Sequence, residues 1–68
     1  MAYEVTFSRN GSTYRTQTVQ DEFCPEGAAF MALPVTWQAG DRVRVEEGPG
    51  YVDFVVKDDE GFPVFEEA

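Results

Sequence analysis

From Tyr3 to Ser8 the chain alternates apolar and polar positions. Tyr3, Val5 and Phe7 fall on one face of an extended strand, and Glu4, Thr6 and Ser8 on the other. Asn10-Gly11 follows, and both residues tolerate the positive φ of a type I′ turn. The pair predicts a two-residue hairpin loop and a threonine-rich return strand from about Ser12 to Gln20. That loop sets Phe7 opposite Tyr14, Val5 opposite Thr16 and Tyr3 opposite Thr18, with Arg15 across from Thr6.

Between Asp21 and Ala39 the alternation stops. Pro25 suits the first turn of a helix, Glu26 suits the positive end of the helix dipole, and Pro34 would end it. A short helix near residues 25–33 is expected there, with an extended stretch as the alternative. Alternation returns after Gly40-Asp41. Val43 and Val45 point inward from a strand over Arg42 to Glu47, and Gly48-Pro49-Gly50 makes a turn. Tyr51 to Lys57 is the next strand, with Val52, Phe54 and Val56 on one face. Asp58-Asp59-Glu60-Gly61 is a tight turn, and Phe62 to Phe65 is a last strand that Pro63 confines to an edge. These elements predict a single, mainly β domain over residues 1–68. It would be a small five-stranded antiparallel SH3-like barrel or bent sheet with at most one short helix near residues 25–33.

Composition narrows the chemistry. The 68 residues hold one cysteine and no histidine. Neither a disulfide nor a zinc knot is therefore expected to support so short a chain. Without histidine, Ser-His-Asp and Cys-His nucleophilic arrangements are excluded. Lys57, the only lysine, lies beside Asp58, Asp59 and Glu60, which favours its charged form over the neutral amine of a Schiff-base lysine. No glycine-rich phosphate loop is present. The expectation is a protein that is not an enzyme and uses no cofactor and no metal. Asp58-Asp59-Glu60-Gly61 lacks the alternating ligand spacing of a calcium loop. No stretch has the length and apolarity of a membrane span or a secretory signal, so the cytoplasm is the expected compartment. Cys24 fits that reducing setting and reads as a small, partly buried hydrophobe before Pro25.

The segment Gly40-Asp41-Arg42-Val43-Arg44-Val45-Glu46-Glu47-Gly48-Pro49-Gly50 resembles the opening of a KOW-type motif, a Gly-Asp turn leading into an alternating valine strand and a Gly-Pro turn. The resemblance implies an SH3-like barrel of the kind found in ribosomal and transcription-elongation proteins, which bind RNA or protein. The chain departs from the family pattern where Tyr51-Val52-Asp53-Phe54 lacks a glycine after the turn, and where Glu46 and Glu47 occupy a loop that is often basic in RNA binders.

Charge is the feature that most separates this chain from an average domain. It carries 13 acids against 5 bases, a formal net charge of −8. Direct binding to nucleic acid is not expected, because affinity for phosphates comes from Lys and Arg. The acids gather at Glu46-Glu47, Asp58-Asp59-Glu60 and Glu66-Glu67. In a meander the first and last clusters share one end, the middle cluster lies at the other, and Asp53 lies between. Glu46, Glu47, Asp53, Asp58, Asp59 and Glu60 are the candidate contacts with a basic nucleic-acid-binding protein or complex, each accepting from Arg or Lys. In size, acidity and absence of catalytic residues the chain resembles small phage and mobile-element inhibitors that mimic nucleic acid, anti-CRISPR proteins among them. That resemblance of type implies an inhibitor of a target such as a CRISPR effector complex, acting in the host cytoplasm. Two other readings stand beside it. One is an SH3-like adaptor or accessory subunit, with Tyr3, Tyr14, Trp37 and Tyr51 lining an aromatic groove for a protein or peptide. The other is a housekeeping domain from a high-salt cytoplasm.

Overall fold

The computed structural model describes residues 2–68. The alternating segments form β1 (Ala2–Arg9), β2 (Ser12–Gln20), β3 (Arg42–Glu47), β4 (Gly50–Asp59) and β5 (Phe62–Glu67), with α1 (Pro25–Ala32) between β2 and β3. The strands make one sheet in the order β2-β1-β3-β4-β5, and every neighbouring pair is antiparallel. β2 and β3 therefore both run opposite to β1 and flank it, so the chain between them must cross one face of the sheet. α1 makes that crossing and touches β1, β2 and β3.

The sheet is open. β2 and β5 are its two edges and do not pair with each other. Of the two expected shapes, the bent sheet forms and the closed SH3-like barrel does not. The physical reason is that α1 covers the apolar face, which a barrel would bury by closing on itself.

Three two-residue connections link the hairpins. At the first, Asn10 and Gly11 take φ of 53° and 82°, the doubly positive combination of a type I′ turn. The β4–β5 turn repeats it with Glu60 and Gly61 at 54° and 92°. A tighter turn lengthens the strands it joins, so β4 and β5 reach Asp59 and Glu67, beyond the expected ends at Lys57 and Phe65.

The first hairpin departs from its expected register. Arg9 faces Ser12 and Ser8 faces Thr13, but the next rung pairs Phe7 with Arg15, because the strand bulges there and Tyr14 becomes an extra residue. From the bulge onward the register is displaced by one. Tyr3 lies opposite Val19, not Thr18, and Val5 opposite Gln17, not Thr16. A one-residue slip exchanges the faces of a strand. Here it turns Val19 into the core and leaves Thr16 and Thr18 on the uncovered face.

The core lies between the sheet and α1. Tyr3, Val5, Phe7, Val19, Val43, Val45, Phe54, Val56 and Phe65 come from the strands, and Ala28, Ala29 and Ala32 from the helix. The inward side of α1 is all alanine, which lets the helix approach the sheet closely. Phe30 and Met31 remain largely exposed on its outer side, although the Phe30 ring reaches Phe65 edge-on, with centroids 6.4 Å apart. Leu33, Trp37 and Val52 close the margins of the core.

Local chemistry sets the helix ends. Cys24 is the N-cap in extended conformation, and its Sγ accepts from the Gly27 amide at 3.3 Å. Cys24 is exposed, which corrects its reading as a partly buried hydrophobe: a capping side chain must reach back over free amides at the helix end. Pro25 opens the first turn and Glu26 follows it, as expected, and the helix stops before Pro34. Sulfur is a weak acceptor, whereas serine is among the preferred N-caps. Cys24→Ser should therefore raise stability by roughly 0.5 kcal/mol. Chemical denaturation followed by Trp37 fluorescence measures this, and a loss of stability would contradict the capping role.

Candidate functional site

Among the described residues, the inward face of the sheet carries one buried charged group. Asp41 continues the inward series of Val43 and Val45 one step before β3 and is 1% exposed. A buried carboxylate needs its lone pairs filled. Arg9 Nε donates to Oδ1 at 2.7 Å and Arg9 Nη2 to Oδ2 at 2.9 Å. The Tyr14 hydroxyl donates to Oδ2 at 2.8 Å, and the Gln38 amide to the same oxygen at 2.9 Å. The Arg9 guanidinium lies 4.6 Å from the centre of the Tyr14 ring and also donates to the Thr36 carbonyl at 2.9 Å.

Arg9 holds the Asp41 carboxyl below its ordinary pKa against the opposing effect of burial, with the Gln38 amide and Tyr14 hydroxyl adding to the lowering. Burial, followed by the bond to Asp41, pushes the Tyr14 phenol up. Both Asp41 oxygens are already engaged, so the cluster is a clasp between elements, and its groups are spent within the fold. Neither Arg9 nor Asp41 was among the expected site residues. Their signal lay in the alternation, because Arg9 shares parity with Tyr3, Val5 and Phe7, and Asp41 with Val43 and Val45. Two opposite charges were thus both aimed at the apolar face.

The other face of the sheet is uncovered. At its centre Arg44 and Asp53 are directly opposite on β3 and β4. Arg44 Nε and Nη2 donate to the two Asp53 oxygens at 2.8 and 3.0 Å, and the guanidinium lies 4.0 Å from the centre of the Tyr51 ring. Arg44 draws the Asp53 carboxyl below its usual range. Beside this pair is an open depression of about 330 Å³ lined by Thr6, Ser8, Thr13 and Arg42.

The expected contact residues do not form one rim. Adjacent residues on a strand point to opposite faces, so each acidic doublet is split. Glu46 is exposed on the uncovered face, opposite Glu4 on β1 and Tyr51 on β4. Glu47 turns to the helix side and is half-buried. Burial pushes the Tyr3 hydroxyl up, and the nearby Glu47 carboxylate pushes it further. Asp53 is engaged by Arg44. Asp58 faces the helix side, and its Oδ1 accepts the Gly61 amide at 2.7 Å, bracing the turn. Asp59 and Glu60 are exposed at the β4–β5 turn. Glu4 and Glu66, outside the expected set, share the uncovered face with Glu46 and Asp59 by strand parity.

The four aromatic residues do not line a common groove. Tyr3 is in the core, Tyr14 is held at the Asp41 clasp, Trp37 packs against the core margin, and Tyr51 lies on the opposite face under Arg44. The slipped register and the strict two-face alternation separate them. Among the described residues no group of three or more His, Cys, Asp or Glu side chains converges to hold a metal. Among the described residues no helix is long and apolar enough to cross a membrane.

Two substitutions separate the buried pair from the exposed one. Asp41→Asn should cost about 3 kcal/mol, toward the low end for breaking a buried pair because Arg9 is 31% exposed. That is a large part of the roughly 3–10 kcal/mol expected for a chain of this length. A carboxyl with a depressed folded pKa stabilises the fold above its unfolded pKa of about 3.9, and the effect disappears as pH falls through the folded value. The stability gap between wild type and Asp41→Asn should thus be constant from pH 7 to about 4 and close below. Denaturation across a pH series measures it, and a gap that widens in acid would refute the assignment. Asp53→Asn, at a solvent-screened pair, should cost no more than about 1 kcal/mol in the same assay.

Comparison of the chain with protein-family models, with curated proteins and with solved structures finds no match.

Proposed function

We propose that this chain is a non-enzymatic binding protein that presents carboxylates to the basic, nucleic-acid-binding surface of another protein. Its action would be that of an inhibitor mimicking nucleic acid, with a CRISPR effector complex as the kind of target. The observation that supports this reading is the imbalance of the ion pairs. Only Asp41 and Asp53 are paired with a cation among the described residues, leaving eleven of the thirteen acids without one. Four of those eleven, Glu4, Glu46, Asp59 and Glu66, share the uncovered face of the sheet.

Directly opposed like charges such as Glu4 and Glu46 repel one another and weaken a sheet. A partner bearing Lys and Arg would relieve that repulsion. The Glu46 and Asp59 rungs are separated by eight residues of β4, or about 27 Å. Glu4 and Glu46 thus stand at one end of the face and Asp59 at the other, with Glu66 opposite Val55 midway between them. The matching partner surface has basic groups spaced over a similar length. Its field would speed encounter, and salt would weaken the complex.

The test is competition. Labelled target DNA is bound to a purified CRISPR effector complex, and fluorescence anisotropy follows its release as the protein is added. Displacement should occur and weaken steeply between 50 and ~200 mM salt. Glu4→Gln with Glu46→Gln should raise the apparent Kd about tenfold without loss of fold, whereas Asp53→Asn should leave it within about twofold. Failure to displace DNA from nucleic-acid-binding complexes at low salt, or equal effects of the two variants, would overturn the reading.

A further inference from the structure

The two edges of the sheet are built differently. β5 is short, carries Pro63 and ends in Glu66-Glu67, all devices that discourage another strand from pairing with it. β2 has nine residues, and beyond the bulge at Tyr14 it reads Arg15-Thr16-Gln17-Thr18-Val19-Gln20, with no proline, lysine or acid. Among the described residues only β1 pairs with β2, so the N–H and C=O groups along its outer side have no strand partner there. Threonine and valine also favour the extended state.

Charge along this edge is sparse and ordered. From Ser12 to Asp21 the only charged residues are Arg15 and Asp21. Both are exposed, the only side-chain bond of Arg15 is to Gln17, and Asp21 forms no ion pair among the described residues. They lie three residues on either side of Thr18. In an antiparallel pair of two β2 strands centred on Thr18, Arg15 of each copy comes against the end of the other strand, where Asp21 leaves β2 with a φ of 62°. Thr16 then faces Gln20, and Gln17 faces Val19. Opposite residues share a face in this register, so the two sheets would continue as one with both helices on the same side.

We infer that β2 is an interface for a second copy of this chain, joined edge to edge about Thr18 and closed by two Arg15–Asp21 pairs. The net charge of −8 does not forbid the approach. The strand acid nearest the seam is Glu4, opposite Thr18 on β1, and the two copies of Glu4 would stand three strand spacings, or about 14 Å, apart, beyond the Debye length of ~8 Å at physiological salt. A seam of this length falls below the roughly 800 Å² per partner of a standard interface, so association is weak and concentration-dependent. This inference does not depend on the proposed inhibitory function.

Sedimentation equilibrium of the full chain tests it. The apparent mass should rise from 7.6 kDa toward twice that value as concentration approaches roughly 1 mM. Arg15→Glu alone and Asp21→Lys alone should each hold the mass at the monomer, since each places like charges opposite one another. An equimolar mixture of the two variants should restore the dimer, because residues 15 and 21 are then complementary at both contacts. Val64→Lys on β5 should leave the curve unchanged. Restoration in the mixture also shows that the single variants are folded. Amide resonances of Arg15 to Asp21 should shift with concentration in the wild-type protein. A monomer at every concentration, loss of the dimer in Val64→Lys, or a mixture that stays monomeric would overturn the inference.

Discussion

The carboxylate of Asp41 is the constraint on which the rest of the fold depends. A buried charge without partners is far more costly than a chain of this size can tolerate, so four donor atoms on three residues from separate parts of the chain are drawn to it. Arg9 comes from the end of β1, Tyr14 from the bulge in β2, and Gln38 from the loop that brings the chain back from α1. The Asp41 backbone completes the clasp: its carbonyl accepts the Val56 amide at 2.9 Å, and the neighbouring Gly40 amide donates to the Val56 carbonyl at 2.8 Å. One residue thus ties β1, β2, the crossover and β4 together at one end of the sheet.

The clasp and the core are linked through the bulge. Tyr14 can reach Asp41 because it is an extra residue beside Phe7, with ring centroids 6.3 Å apart. That same extra residue shifts the register and turns Val19 inward against Tyr3. Without the bulge, Thr18 would face the core, and its hydroxyl would lack a partner. A polar requirement at one end of the hairpin therefore selects the apolar side chain at the other. In a domain this small, where only about 60% of the unfolded surface is buried, such coupling matters more than the area of any one contact.

Acidity and foldedness coexist because the two faces divide the labour. The inward face fully buries one carboxylate and satisfies it, while Glu47 and Asp58 stand at the ends of that face, Glu47 with one buried oxygen that has no partner among the described residues. The uncovered face and the turns carry most of the rest, where water and salt screen them. Arg44 lies at the centre of that face, between Asp53 and the Tyr51 ring, and Arg42 and Lys57 share the face with it by strand parity.

Much of the fold was legible along the chain. Period-two alternation marked all five strands, Asn10-Gly11 and Gly61 marked turns, and Pro25 and Pro34 bracketed the helix, because each is a local steric or hydration preference. The acidic doublets are visible too, and alternation already requires Glu46 and Glu47 to point apart. What tertiary structure alone decided was non-local. The bulge lets Tyr14 donate its hydroxyl to Asp41, 27 residues away. The sheet stays open because α1 covers the face that a barrel would enclose. Glu4 stands against Glu46 because the crossover places β3 beside β1. Sequence determines which residues prefer to be extended, turned or buried. Which of them meet depends on the free energy of satisfying distant groups at once, and that is set only when the whole sheet assembles.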